Sequence, residues 1–205
     1  MKHGLFSRRW LLCAALLIVA GGCISVPRSP SVRFYTLQAR TGEEALPGAE
    51  NLNNAVIGVG PVALPEYYNR PQLVTKNNEG TIEFAQFDRW AEPLDTGIVR
   101  AISRNLSLFL PAVNVETFPW NNAIPVTYQV ILEVIDIESR LEAEVVMLAQ
   151  WSILDAEDKR LLFTKRAEYR QATEPHGYPG IIQALSGICD AAARDIAEAL
   201  TRLEQ

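Results

Sequence analysis

An α+β fold, a two-layer α/β sandwich with two main helices packed on a mixed, mostly antiparallel sheet, is the architecture this sequence predicts. Three observations predict it. Residues 93–110 and 181–203 carry apolar side chains at helical spacing. Residues 127–138, 144–154 and 160–170 read as long strands and succeed one another across short turns, as in an antiparallel meander. Shorter apolar runs bounded by Gly, Pro and Asn precede the first helix.

The first strand is expected at 33–37 (RFYTL), followed by a loop at 38–54 marked by Gly42, Pro47 and Gly48. The run 55–64 (AVIGVGPVAL) reads as a buried strand, in which Gly58 and Gly60 allow a close approach or a bend before Pro61. Strands at 72–76 and 81–85 flank Asn77-Asn78-Glu79-Gly80, a hairpin turn signal. In the helix at 93–110, Leu94, Ile98, Ile102, Leu106 and Leu110 recur every four residues, and Pro111 ends it. A short strand at 113–117 leads to the meander. Within 144–154, Val145, Met147, Ala149, Trp151 and Ile153 share one face. After the turn at 155–159, Thr164, Arg166, Glu168 and Arg170 alternate with Leu161, Phe163, Ala167 and Tyr169. The last helix sets Ile181, Leu185, Ile188, Ala192, Ile196, Leu200 and Leu203 on one stripe, read as its packing face.

The N-terminus carries the strongest functional signal. Residues 1–9 hold Lys2, Arg8 and Arg9 and no acid, 10–20 (WLLCAALLIVA) are apolar, and Gly21-Gly22-Cys23 follows. This is the pattern of a secretory signal peptide, 1–22, with a cysteine after the cut. The apolar stretch of 11 residues is too short to span a hydrocarbon core needing about 20. Cys23 is therefore expected to be acylated and to hold the protein on a bacterial membrane, because each buried CH2 contributes roughly 0.8 kcal/mol. Ile24, rather than Asp, favours the outer membrane. Residues 23–31 form the acylated terminus and a Pro-containing tether, and 32–205 a single globular domain.

Without residues 1–22 the net charge is −8, which disfavours nucleic acid and unaided adhesion to anionic lipid. Cys189 is then the one cysteine not discarded or acylated, so no intramolecular disulfide is expected, and its apolar neighbours read it as a small buried hydrophobe. Catalytic patterns are missing. The one histidine beyond the leader, His176, lies in a loop, one His and one Cys make no zinc site, and neither G-x-S-x-G nor a phosphate-cradling glycine loop occurs. No enzyme and no cofactor are expected.

Two stretches are richer than a scaffold needs: 64–74 (LPEYYNRPQLV) and 87–94 (FDRWAEPL). They flank the hairpin turn and so belong close together, gathering Tyr67, Tyr68, Phe87 and Trp90 with Arg70, Arg89, Glu66 and Glu92. Aromatics with Arg are what protein-contact patches are enriched in. A purely structural reading competes, in which Arg89 pairs with Glu92 or caps a turn, Trp90 enters the core and Pro93 starts the helix.

The leader with Cys23, Arg33-Phe34-Tyr35-Thr36-Leu37, Val59-Gly60-Pro61-Val62, Leu64-Pro65 with Arg70-Pro71-Gln72-Leu73-Val74, and Arg89-Trp90-Ala91-Glu92-Pro93-Leu94 resemble the ABC-type transport auxiliary lipoproteins. The resemblance implies a non-catalytic lipoprotein at the outer membrane. Its partners would be a periplasmic MCE-domain protein and the ABC permease and ATPase working with it, in the transport of lipids or other hydrophobic molecules. It also implies a homo-oligomeric ring. Cys23 carries over as the lipidation site, and Tyr67, Tyr68, Arg70, Arg89, Trp90 and Glu92 are the candidate partner-binding residues. The alternative is a lipid carrier holding an acyl chain between helices and sheet, against Ile98, Ile102, Leu185 and Ile188.

Overall fold

The structure, a computed structural model, describes residues 30–42, 44–76, 79–121 and 123–204. The expected signal peptide, Cys23 and the tether as far as residue 29 lie outside the described residues. In chain order the elements are β1 (Arg33–Tyr35), β2 (Val56–Ala63), β3 (Gln72–Lys76), β4 (Ile82–Trp90), α1 (Leu94–Phe109), β5 (Asn114–Thr117), β6 (Tyr128–Ser139), β7 (Glu144–Asp155), β8 (Leu161–Ala172) and α2 (Tyr178–Leu203). Short 3-10 turns occupy Ala49–Leu52 and Glu66–Tyr68.

Both helices form where their apolar period places them. Pro93 precedes α1 with φ −53°, which suits a helix entry, and Leu94, Ile98, Ile102 and Leu106 are all buried. The Leu110 N–H still bonds to the Leu106 carbonyl at 2.8 Å, and Pro111, lacking an N–H, goes no further. α2 begins three residues before the expected start, at Tyr178, with Gly177 at φ 88° and Pro179 in its first turn.

The fold class is α+β, and its strands part into two sheets rather than one. The larger has the order β5-β2-β6-β7-β8, the smaller β1-β4-β3. β2 lies parallel to both β5 and β6, while β6, β7 and β8 make the antiparallel meander. In the smaller sheet β1 is parallel and β3 antiparallel to β4. α1 covers β2 and β5, α2 covers β7 and β8, and the helices pack on each other. The Val145–Ile153 face of β7 meets this helical layer, every second side chain being 0–1% exposed. Trp151 stacks on Phe163 and donates from Nε1 to Tyr169 Oη at 3.0 Å. Tyr169 in turn donates to Asp195 of α2 at 2.9 Å, and Lys165 bonds the same carboxylate at 2.6 Å.

The smaller sheet meets β6 where β6 is bulged, between Val134 and Asp136. Asp136 accepts from Tyr67 Oη, from Lys76 Nζ and from the Ile137 N–H, each at 2.9 Å. Burial works to raise this carboxyl, but the bonds from Lys76 and Tyr67, the Lys76 charge and the Ile137 N–H outweigh it. Asp136 is held below the ordinary carboxylate range. A carboxyl lowered on folding stabilises fully above its unfolded value near 3.9, and that stabilisation is lost as pH falls through the lowered folded value. Asp136→Asn should therefore cost about 1–2 kcal/mol at pH 7, with a gap to the parent that shrinks in acid. Thermal denaturation of both at pH 7 and pH 3 reads this, and a gap that widens at pH 3 contradicts it.

Candidate docking groove

The two enriched stretches meet, as their positions around the hairpin require. After β2 the chain turns at Glu66–Tyr68, with the Tyr68 N–H on the Pro65 carbonyl at 2.9 Å, and enters β3 through Arg70 and Pro71. β4 runs on through Phe87 to Trp90, so the second stretch begins inside a strand and ends at the start of α1. The Trp90 N–H donates to the Pro71 carbonyl at 2.7 Å, and Gln72 lies opposite Arg89.

Between the stretches opens a groove of about 450 Å³. Tyr68, Arg70, Trp90 and Glu92 line it; Tyr67 and Arg89 do not. Tyr67 turns instead to Asp136, its ring 4.6 Å from that of Tyr68. Tyr68 and Trp90 are only 4% and 7% exposed, so they form the floor, and Tyr68 Oη donates to the Ile137 carbonyl. Burial pushes the Tyr68 phenol well above its ordinary value, so it stays a neutral donor. Val62, Leu64, Pro71, Ala91, Pro93 and Leu94 complete the apolar lining.

The polar lining is arranged differently from the structural reading of the sequence. Glu92 pairs with Arg100 of α1, not with Arg89. Arg70 stands over the Phe84 ring at 3.8 Å, and its buried Nε has no partner among the described residues. Phe84 is itself 47% exposed. Arg100 and Phe84 were missed from sequence. Phe84 stood as an aromatic in an otherwise polar edge of the hairpin, whereas the Arg100 pairing crosses the α1 N-terminus and had no local signal.

The proposed acyl-chain lining has another environment. Ile98, Ile102, Leu185 and Ile188 are 0–2% exposed and belong to one continuous core with the sheet. An acyl chain there would have to displace them, and none of them borders the groove. Cys189 is fully buried, and burial raises its thiol to about 12, which leaves it protonated and inert. Among the described residues no three His, Cys, Asp or Glu side chains are grouped to hold a metal ion, and no helix is long and apolar enough to cross a membrane.

The groove and both its stretches fall inside a family match. The model of a family described as ABC-type transport auxiliary lipoprotein component matches residues 35–197. Intermembrane transport lipoprotein PqiC of Escherichia coli (strain K12) is 24% identical over 196 residues, covering 96% of this chain and 99% of that protein. Its Shigella flexneri counterpart matches to the same extent. The crystal structure of an uncharacterized protein superposes with a TM-score of 0.67 at 19% identity, over 83% of this chain and 99% of that one. Protein XCC0632 from Xanthomonas campestris does so with 0.66 at 12% identity, over 84% and 98%. These two share the fold.

Proposed function

This chain belongs to the family of ABC-type transport auxiliary lipoprotein components, and from that premise we propose that it is a membrane-anchored docking subunit of a transport system. Cys23 carries the acyl chains and holds the domain on the periplasmic face of the outer membrane. The domain engages a periplasmic MCE-domain protein that works with an ABC permease and ATPase, and the system moves lipids or other hydrophobic molecules between the membranes. Copies of the domain assemble in a ring. The subunit contributes contacts and no chemistry.

One observation carries this reading. The segments that give the sequence its family resemblance, around Arg70-Pro71 and Arg89–Leu94, are those that fold together into the groove. A buried aromatic floor beside an arginine with no acid partner among the described residues is the composition of an interface anchor.

The test is purification of the full-length lipoprotein from its native membrane in mild detergent, with mass spectrometry of what accompanies it. Stoichiometric recovery of an MCE-domain protein is expected. Arg70→Ala, in a variant shown by circular dichroism to be folded, should cut that recovery about tenfold, equivalent to about 1.4 kcal/mol. Recovery of the lipoprotein alone, from the parent chain, overturns the docking role. The anchor is tested separately: residues 24–205 exported behind a cleavable leader that leaves no cysteine should enter the aqueous phase of a cloud-point extraction and the full-length lipoprotein the detergent phase, because the acyl chains are its only membrane hold in this reading.

A further inference from the structure

We infer that the groove takes an extended peptide segment of the partner in which a lysine or arginine stands beside an apolar residue. The inference rests on the docking role just proposed and specifies what docks. It follows from the charges around the opening. Three carboxylates line the groove, from Glu66, Glu92 and Asp95. Glu92 is neutralised by Arg100. Glu66 and Asp95 are exposed, and neither has a cationic partner among the described residues, the Asp95 carboxylate accepting only from Thr96. Among the described residues the one groove-lining cation is Arg70, stacked on Phe84. The groove therefore offers two carboxylates, Glu66 and Asp95, without a cationic partner among the described residues, beside the Arg70 cation and above an apolar floor of Tyr68 and Trp90.

Each feature of the occupant answers one of these. A basic side chain answers Glu66 and Asp95, and an adjacent apolar one covers exposed Pro71 above the Trp90 floor. The volume, about 450 Å³, is that of a pocket for a few side chains, not for a folded domain. Pro71 and Pro93 have no N–H to give, so recognition runs through side chains rather than through an added strand. Anionic lipid headgroups meet repulsion from Glu66 and Asp95.

The experiment places the photoreactive residue p-benzoylphenylalanine at Asn69, an exposed residue of the groove lining, in the full-length lipoprotein in its own cells. A control probe replaces Leu161, exposed on β8 away from the groove. After irradiation, the peptide joined to each probe is sequenced by mass spectrometry. The Asn69 probe should capture a segment of the MCE-domain protein with Lys or Arg within two residues of an apolar side chain. Glu66→Lys with Asp95→Lys should lower that yield at least tenfold, Glu66→Gln with Asp95→Asn by less, and the yield should fall as salt rises. Capture of lipid, of a second copy or of an acidic segment overturns the inference, as does a yield indifferent to both double variants. If the partner still co-purifies in full in those cases, the docking role stands and only the identity of the groove's occupant falls. If no partner co-purifies with the parent chain, the docking role falls first.

Discussion

Trp151→Ala should destabilise the domain by about 3–5 kcal/mol, among the largest losses any single truncation here can cause. Trp151 is 1% exposed and sits in the middle of β7, the central strand of the meander. Truncation removes the largest fully buried side chain and leaves a cavity under α2 that the paired strands cannot close. It also removes the donor to Tyr169, whose hydroxyl lies between Trp151 and Asp195. Trp151→Phe separates the two contributions, since it keeps most of the volume and loses the bond, at about 1–2 kcal/mol. Urea denaturation reads both. With a slope of about 1–3 kcal/mol/M, the alanine variant's midpoint should fall by at least about 1 M. A phenylalanine variant as unstable as the alanine one would mean that packing is not the main term.

Gly180→Ala should cost about 3 kcal/mol or more, although alanine is ordinarily the better helix residue. A methyl group at Gly180 would stand 1.7 Å from the Pro175 carbonyl oxygen and 2.9 Å from its carbon. Both are backbone atoms, so no rotamer change relieves the overlap, and the turn before α2 would have to leave the helix. Gly187, two turns on in the same helix, is the control. There a methyl group would meet only Gln171 side-chain atoms at 3.5 Å, an ordinary contact. Gly187→Ala should therefore stabilise by about 0.5–1 kcal/mol. Opposite signs from one substitution in one helix, measured by thermal denaturation, would show that approach to the 174–177 turn, and not helix propensity, fixes Gly180.

Local patterns in the sequence were enough to place most of these elements. The stripe from Leu94 to Leu110 with prolines at both ends marked α1 to within a residue, and alternation marked the face of β7 that carries Trp151. Pairing was another matter. β1 is only three residues long and finds its partner in β4, more than fifty positions away, and no local pattern encodes such a choice. For the same reason the division into two sheets was not visible. At the groove, the approach of Arg70-Pro71 to Trp90 followed from the hairpin. The pairing of Glu92 with Arg100 did not, because it depends on where the first turn of α1 points relative to the end of β4. Lys165 stands on the apolar face of β8 for a similar reason: its ammonium group is answered by Asp195 from a helix thirty residues later.

The parallel placement of β2 has a consequence for the order in which the chain can become stable. Val56–Val59 waits for Asn114–Thr117 on one side and for a strand beginning at Tyr128 on the other. Until those later residues are present, the first third of the chain has little to close against, and contacts of such long sequence separation form slowly. A nascent chain of this topology stays open while it is being made. For the secretory leader proposed at 1–22, which would have to act on a chain still open enough to thread, the strand order that delays closure would also lengthen the interval in which export competes with folding.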